Sequence, residues 1–250
     1  MDLQLKGKRA IVTGSTVGIG LAIAVELARE GASVVINGRT QKCVNEAIAA
    51  VGPKASGFVG ELSTPSAAAA TLIAKCPDVE ILINNLGIYE SWQWIWQVHV
   101  KSGIRLSRHY LPRMIAARWG RILFVSSESD VRIPAKTIHY GITKTAQVAL
   151  ARSMAETTAG TGVTVNSVLV RPTKSEGMDE LLSFMARQID VDAAAVEHDY
   201  FAHGFPSSLL KRFIEPDPLA HLVVYLSSPL SSATNGAALR VDGGVIRSIL

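Results

Sequence analysis

Short apolar runs alternate along the chain with longer stretches in which apolar residues recur every three or four positions. Runs of the first kind are typical of strands buried on both faces, and stretches of the second kind indicate amphipathic helices. The pattern predicts strands at 10–12, 33–37, 56–60, 79–83, 121–125, 163–169 and 237–241. Because helical stretches separate these strands, we expect a single α/β domain over residues 1–250, with a parallel sheet covered on both faces.

Two stretches between the strands stand out. Residues 173–213 show no clear period, and a segment of that length is the right size for a mobile lid over a ligand. Elsewhere Trp92, Trp94 and Trp96 lie close together, and helical spacing puts Trp92 and Trp96 on one face. We predict that this face packs in the core or at a subunit interface. An aromatic wall beside a substrate pocket is the alternative.

Composition argues against several function classes. The chain has 250 residues, of which 48% are hydrophobic, and a formal net charge of +4 without a long run of Lys or Arg, so a nucleic-acid-binding arm is not expected. No uncharged apolar stretch approaches the roughly 20 residues of a membrane helix, and residues 1–8 lack the apolar core of a secretory signal. Cys43 and Cys76 have neither metal-site nor disulfide-framework spacing. We therefore predict a cytoplasmic protein without a metal, nucleic-acid or membrane partner.

A glycine-rich turn follows the first predicted strand and precedes the first predicted helix. Its spacing is Gly-x-x-x-Gly-x-Gly. Glycines there let the backbone turn tightly and approach a pyrophosphate at the positive end of the helix, which predicts a dinucleotide site. A tight turn with close helix packing would need the same residues. The predicted cofactor contacts of this turn are Gly14, Ser15, Thr16, Gly18, Ile19 and Gly20.

The end of the second predicted strand bears on the choice of cofactor. An acid there favours the ribose 2′-hydroxyl of NAD(H), whereas an arginine suits the 2′-phosphate of NADP(H). The chain has Arg39 and no acid at this point, so we favour NADP(H), with NAD(H) possible. The alternative for Arg39 is a place on the solvated face of the next helix. Glu61 and Leu62 follow the third strand, where Glu61 either reaches the adenine amino group or begins a helix.

Asn84, Asn85 and Gly87 follow the fourth predicted strand. Amide side chains can hydrogen-bond the backbone of neighbouring strands, and we predict that these two brace the sheet. Gly87 lets the chain pass close to a ligand. Asn85 and Gly87 are therefore predicted neighbours of the cofactor.

Tyr140 and Lys144 lie four residues apart in a predicted helix, so their side chains emerge on the same face. A free phenol has a pKa of roughly 10, and a nearby ammonium lowers that pKa because it stabilises the phenolate. The pair thus predicts a proton donor or acceptor that works near neutral pH. Ser127 ends the preceding strand at the carboxyl edge of the sheet, where its hydroxyl could hydrogen-bond a substrate carbonyl.

Together these features resemble the short-chain dehydrogenase/reductase family, in its single-domain, tyrosine-dependent, 3-oxoacyl-carrier-protein-reductase-like form. The resemblance covers nearly the whole chain. It implies a Rossmann-type, doubly wound, seven-stranded parallel sheet, hydride transfer between a nicotinamide cofactor and an alcohol or carbonyl substrate, and a homotetramer or homodimer. The matching motifs are Thr13-Gly14-x-x-x-Gly18-Ile19-Gly20, Asn84-Asn85-x-Gly87, Ser127, Tyr140-x-x-x-Lys144, Val165-Asn166-Ser167-Val168 and Val241-Asp242-Gly243-Gly244.

The resemblance also implies roles for single residues. Tyr140 would be the catalytic acid or base, and Ser127 would orient the substrate. Lys144 would lower the pKa of Tyr140 and hold the nicotinamide ribose. Thr173 would meet the nicotinamide carboxamide through its backbone.

Some residues depart from the family pattern at the nicotinamide and substrate end. His99 stands where the family has a fourth catalytic residue, an Asn that supports a water-linked proton path from the Lys. A His could relay protons itself or be packed in a broken path. Val170 and Arg171, followed by Pro172, replace the family's Pro-Gly. Arg171 could bind a phosphate or an anionic substrate, or it could block the site.

A further departure is the short loop between Gly87 and Trp92, which leaves Tyr89, Glu90, Ser91 and Trp92 as the available pocket walls. These departures leave two hypotheses open. The first is an NADP(H)-dependent oxidoreductase that acts on an alcohol or carbonyl. The second is a catalytically impaired nucleotide-binding protein that serves as a sensor or an oligomer partner.

Overall fold

The computed structural model describes residues 1–63, 67–88, 92–131, 137–171, 173–174, 176–188 and 190–249. Its strands are β1 (Arg9–Val12), β2 (Ser33–Gly38), β3 (Ala55–Val59), β4 (Ile81–Asn84), β5 (Gly120–Ser127), β6 (Val163–Val170) and β7 (Ala238–Val241). In this described part they form one sheet in the order β3-β2-β1-β4-β5-β6-β7, and all neighbouring pairs are parallel. The predicted seven-stranded parallel sheet is confirmed.

Helices connect the strands, as parallel pairing requires. They are α1 (Gly18–Arg29), α2 (Gln41–Val51), α3 (Ala67–Lys75), α4 (Trp92–Trp96), α5 (Ser102–Ala116), α6 (Ile138–Glu156), α7 (Glu176–Gln188), α8 (Ala193–Asp199) and α9 (Pro216–Leu226). Two π-helical segments, Gln97–Lys101 and Tyr200–Gly204, continue α4 and α8. Over the residues that the structure describes, no helix has the length and apolar character that crossing a bilayer requires.

The sheet separates two apolar cores, one on each face. On one face Leu27 of α1 and Val223 of α9 pack with the strands, and on the other Leu72 of α3 and Tyr110 of α5 do so. All eight residues of β5 are buried, which explains why a central strand reads as a nearly continuous apolar run.

The strand order places a crevice at the carboxyl edge of the sheet. The chain winds from β1 outwards to β3 in one direction and from β4 outwards to β7 in the other. The connections that follow β1 and β4 therefore run in opposite directions along the sheet. Ligands of such sheets bind in the crevice between these two connections.

The prediction of an irregular region over 173–213 is wrong for most of its length. Helices α7 and α8 and the π-helical segment Tyr200–Gly204 occupy much of it. Asp192 caps α8, since its side chain accepts from Ala195 N–H at 2.6 Å. Helix α8 has only 7 residues, and α7 and α8 pack in a cluster of their own rather than on the sheet. Buried members of this cluster are Leu182, Val196, Phe201, Phe205 and Phe213.

Candidate active site

A cavity of about 1130 Å³ opens at the carboxyl edge of the sheet. It extends from the turn between β1 and α1, past the ends of β2, β3 and β4, to the ends of β5 and β6 and to α6, α7 and α8. The sequence-predicted residues that line it are Gly14, Thr16, Ile19, Gly20, Arg39, Glu61, Leu62, Asn85, Gly87, Ser127, Tyr140, Lys144 and Thr173. Residues distant in the sequence thus meet at one cavity.

The turn between β1 and α1 has the shape of an anion cradle. A Cβ on Gly20 would lie 2.4 Å from the carbonyl oxygen of Gly14, so the turn and the helix can approach this closely only with glycine. Gly14 and Gly18 have φ of +61° and +57°, which glycine adopts without strain. Within the described residues, no side chain caps α1 at Val17. The N-terminal N–H groups of α1 are therefore left for an anion, which fits a dinucleotide pyrophosphate.

Side chains around the turn hold its shape. Ser15 is fully buried, where its hydroxyl donates to Val12 O at 2.7 Å and accepts from Asn37 N–H at 2.9 Å. Asn85 donates through Nδ2 to Thr13 O at 3.0 Å and to Gly14 O at 3.1 Å. The predicted bracing through backbone carbonyls is confirmed for Asn85 but not for Asn84, whose Nδ2 donates to Ser107 Oγ at 3.4 Å instead. Ser15 supports the turn from within the protein rather than from the cavity wall.

The end of the cavity at β2 and β3 is lined by Arg39 and Glu61. Arg39 is exposed and follows the last residue of β2. The Glu61 carboxylate accepts from Ser63 N–H at 3.1 Å and from Ser63 Oγ at 2.5 Å, so it shapes the turn after β3. Of the two charged side chains, Arg39 is the one suited to an incoming phosphate.

Ser127, Tyr140 and Lys144 come together at the other end of the cavity. Tyr140 and Lys144 lie one turn apart in α6, and the Lys144 Nζ is 5.7 Å from the centre of the Tyr140 ring. The Lys144 Nζ donates to Val125 O and to Gln147 Oε1, each at 3.0 Å. An ammonium fixed at this distance stabilises a negative charge on the phenol oxygen.

Ser127 is tied to an acid that the sequence prediction missed. Its hydroxyl donates to Glu128 Oε2 at 2.9 Å and accepts from Ser129 N–H at 3.2 Å. The other carboxylate oxygen of Glu128 accepts from Ser129 Oγ at 3.2 Å and pairs with Arg171. Since the serine proton is committed to a carboxylate, Ser127 faces a ligand as a hydrogen-bond acceptor.

Arg171 neither blocks the cavity nor offers it an uncompensated charge. The register of β5 and β6 pairs Ser127 with Val170, so the next residues, Glu128 and Arg171, lie side by side. Glu128 is fully buried, and the Arg171 side chain is 17% exposed at the cavity wall. The guanidinium carbon also lies 3.9 Å from the centre of the Phe205 ring. Of the two outcomes predicted for Arg171, obstruction is not observed.

His99 is packed as a neutral imidazole. Its Nε2 accepts from Ile88 N–H at 2.9 Å, so the proton lies on Nδ1, which is 2.8 Å from Thr143 Oγ1. Burial and, to a lesser degree, the Lys144 ammonium lower the pKa of His99 to about 2. A ring with this pKa is not protonated to an imidazolium at neutral pH. His99 lies in the π-helical segment Gln97–Lys101, a type of irregularity that often marks functional sites.

The backbone of His99 has a second contact, through a residue that the prediction also missed. Gln147 is 1% exposed, and its Nε2 donates to His99 O at 2.7 Å while its Oε1 accepts from Lys144. A polar residue one turn after Lys144 on a buried helix face was the available signal in the sequence.

The remaining predicted wall positions are only partly described. Residues Tyr89, Glu90, Ser91 and Pro172 lie outside the described residues, as does the side chain of Trp92. Trp94 lines the cavity, whereas Trp96 is 38% exposed. The alternative role of an aromatic wall is therefore met by Trp94. Thr173 lines the cavity, and within the described part of the chain its buried Oγ1 has no hydrogen-bond partner.

Comparison with known proteins places these features in context. The model of a family described as short chain dehydrogenase matches residues 8–185. An uncharacterized oxidoreductase of Bacillus subtilis, YvaG, is 41% identical, with 100% of both chains covered. The 3-oxoacyl-[acyl-carrier-protein] reductase FabG of Aquifex aeolicus is 30% identical, with 98% of this chain and 100% of that protein covered.

Solved structures are similar over the same extent. The L-sorbose reductase of Gluconobacter frateurii, complexed with NADPH and L-sorbose, has a TM-score of 0.91 at 26% identity, with 100% of both chains covered. A putative NAD(P)-dependent gluconate 5-dehydrogenase of Beutenbergia cavernae with bound NADP has a TM-score of 0.83 at 29% identity, over 99% of this chain and 100% of that one.

Proposed function

Because the chain belongs to the short-chain dehydrogenase family, we propose that it transfers a hydride between NADP(H) and a small alcohol or carbonyl compound. As a member it is an NAD(P)-dependent oxidoreductase that acts on CH–OH or C=O groups. The proposal rests on one observation: the cavity that the glycine-rich turn lines is also lined by Ser127, Tyr140 and Lys144. The homotetramer or homodimer implied by the resemblance stays a prediction.

We assign a separate role in this reaction to each of three residues. When bound, the nicotinamide supplies or accepts the hydride. Tyr140 gives its phenol proton to the substrate oxygen, or takes one from it, and Lys144 stabilises the phenolate that alternates with the phenol. Ser127, held as an acceptor by Glu128, orients the hydroxyl of the alcohol, whereas the oxygen of the carbonyl compound receives its hydrogen bond from Tyr140. Proton transfer by a positioned group contributes about 10²–10⁴-fold in rate.

NADP(H) is proposed over NAD(H) because of Arg39. The guanidinium at the end of β2 is suited to a phosphate, and the strand end Asn37-Gly38 offers no carboxylate for a free 2′-hydroxyl. The NADPH and NADP in the two similar structures support the same choice. Gly14, Thr16, Ile19 and Gly20 would hold the pyrophosphate, and Thr173 the carboxamide.

The hypothesis of a catalytically impaired nucleotide-binding protein rested on His99, Val170 and Arg171. The Arg171 side chain is held at the wall by Glu128, and the cavity continues to Tyr140. The His99 ring is neutral and hydrogen-bonded at both nitrogens. The geometry thus favours the enzyme.

Calorimetric titration with NADPH and NADH, followed by a carbonyl screen, tests the proposal. We expect NADPH to bind more tightly than NADH. We expect Tyr140→Phe to lose about 10²-fold or more in turnover while its affinity for NADPH stays similar. Tyr110→Phe is a matched control, because the buried Tyr110 hydroxyl donates to Cys76 O at 2.7 Å in the core cluster on one face of the sheet. Full activity in Tyr140→Phe would refute the mechanism, and tighter binding of NADH would refute the cofactor preference.

A further inference from the structure

The end of the cavity beyond Tyr140, here called the substrate end, is formed by two segments of the chain. One follows β4 and continues through α4 into the π-helical segment Gln97–Lys101. The other follows β6 and contains α7 and α8. The described residues that line this substrate end with carbon-rich side chains are Ile88, Trp94, Val98, Leu182, Met185, Val196 and Tyr200.

Three of these side chains, Leu182, Val196 and Tyr200, are held in place by packing, whereas Met185 is 45% exposed. Leu182 and Val196 are each 6% exposed and belong to the aromatic cluster with Phe201, Phe205 and Phe213. The Tyr200 ring packs at 4.9 Å from the Phe205 ring and 5.1 Å from the Phe213 ring, measured between centres. The wall is therefore mainly apolar and suited to carbon rather than to a shell of hydroxyl groups.

The charge of Arg171 at the substrate end is already compensated. Arg171 lies at the wall, but its guanidinium pairs with the fully buried Glu128 carboxylate and lies over the Phe205 ring. A substrate carboxylate placed against Arg171 would also meet the negative charge of Glu128. The pair therefore removes the usual means of holding an anionic substrate beside Ser127.

Among the residues that the structure describes, Lys174 and Asp199 also line this end, and both lie at its rim. The side chains of Lys174 and Asp199 are 42% and 73% exposed. Lys174 Nζ is 3.6 Å from Glu215 Oε1, and Asp199 Oδ1 is 2.8 Å from His203 Nδ1. Solvated charges with partners of their own contribute little to holding a small substrate.

We propose that the substrate end takes an uncharged apolar carbonyl compound, such as a phenyl-substituted alkyl ketone, in preference to a keto acid or a sugar. This inference rests on the proposed function. In the reduction, the C=O π bond breaks, NADPH gives a hydride to the carbonyl carbon and is oxidised to NADP⁺, and Tyr140 gives a proton to the oxygen. The products are the alcohol and NADP⁺, and the phenolate recovers its proton from solvent.

A matched pair of substrates tests the class. 4-Phenyl-2-butanone and 2-oxo-4-phenylbutanoate share the phenyl ring and the two-carbon chain that joins it to the carbonyl. On the other side of the carbonyl the first has a methyl group and the second a carboxylate. The keto acid is the more reactive electrophile, so intrinsic reactivity works against the proposal. We expect kcat/KM with NADPH to be about tenfold or more higher for the ketone, with L-sorbose below both. A preference for the keto acid or for L-sorbose overturns the substrate class and leaves the proposed function standing. Failure to reduce any carbonyl overturns both.

Two tryptophans in one helix give a matched pair of variants. Trp94→Ala removes part of the apolar wall and should lower kcat/KM for the ketone about tenfold, mainly through KM. Trp96→Ala makes the same change at a residue that is 38% exposed, and should leave kcat/KM within about twofold. Equal losses in the two variants would contradict the assignment of Trp94 to the substrate wall.

Glu128→Gln tests the charge argument separately. With the carboxylate gone, Arg171 becomes an uncompensated cation at the wall, and the ratio of kcat/KM for keto acid to that for ketone should rise about tenfold. The ratio cancels any disturbance of Ser127 that affects both substrates alike. An unchanged ratio would mean that the Glu128–Arg171 pair does not set the substrate class. If this variant does not fold, the substrate and tryptophan pairs still decide the proposal.

Discussion

Gln147 joins Lys144 to the backbone of His99. Its Oε1 accepts from the Lys144 Nζ at 3.0 Å, and its Nε2 donates to His99 O at 2.7 Å. Gln147 and Lys144 are 1% and 4% exposed, so each of these hydrogen bonds is shielded from water. The amide therefore fixes the ammonium relative to Tyr140 without touching the substrate.

We expect Gln147→Met, which keeps the side-chain volume, to lower kcat about tenfold through a misplaced Lys144. KM for the carbonyl substrate should change by less than about twofold, because Gln147 has no contact with it. Steady-state kinetics with saturating NADPH measure both.

Asn235→Ala is the control for loss of a bridging amide. Asn235 accepts from Val165 N–H and donates to Thr158 Oγ1, each at 2.9 Å, at the far end of α6. This variant should lower thermal stability without lowering kcat. If Gln147→Met loses no more kcat than Asn235→Ala, Gln147 has only a structural role.

His99 predicts a pH dependence of stability. Its pKa is lowered to about 2 in the folded protein and returns to about 6.5 on unfolding, so below pH 6.5 the unfolded chain binds more protons. Stability is therefore lost as the pH falls, by about 2 kcal/mol between pH 6.5 and pH 5. His99→Asn should show a smaller loss over this range in urea unfolding. Its kcat should stay within a few-fold, since the backbone carbonyl that holds Gln147 is kept; a large loss of kcat would restore the proton-relay hypothesis.

The sequence pattern predicts the sheet well because each buried parallel strand is a local apolar run. It also predicts Tyr140 and Lys144, since a helical spacing of four residues fixes their shared face. The α7–α8 region was predicted poorly because its apolar side chains pack on aromatic residues of the same region. Their partners, such as Phe205 and Phe213, lie in loops without a period.

The pairing of Glu128 with Arg171 could not be predicted from local pattern. The two residues are far apart in the chain and meet only because Ser127 pairs with Val170 in the sheet. Register between strands depends on the whole fold, whereas the composition of each strand end is visible in the sequence. Arg171 was therefore recognised as unusual, but its partner was not.

That pair predicts a non-additive effect on stability. Arg171→Met leaves the Glu128 carboxylate buried without its cation and should cost about 3–5 kcal/mol of unfolding free energy. Arg171→Met combined with Glu128→Gln removes both charges and should recover most of that loss, because no buried charge remains uncompensated. Urea unfolding of the parent, the two single variants and the double variant measures the coupling. Additive losses would show that the two side chains do not interact.

Arg39 predicts a selective effect on cofactor affinity. If its guanidinium binds the 2′-phosphate, Arg39→Leu removes a charge-assisted pair worth about 1.5–3 kcal/mol, which weakens NADPH binding by roughly 10- to 100-fold. NADH lacks that phosphate, so its affinity should change by less than about twofold. Arg108→Leu is a matched control, since Arg108 is also exposed but lies on α5. Calorimetric titration of the parent and both variants with NADPH and NADH measures these affinities. If Arg39→Leu weakens the binding of NADPH and NADH equally, Arg39 supports the whole site and does not recognise the 2′-phosphate.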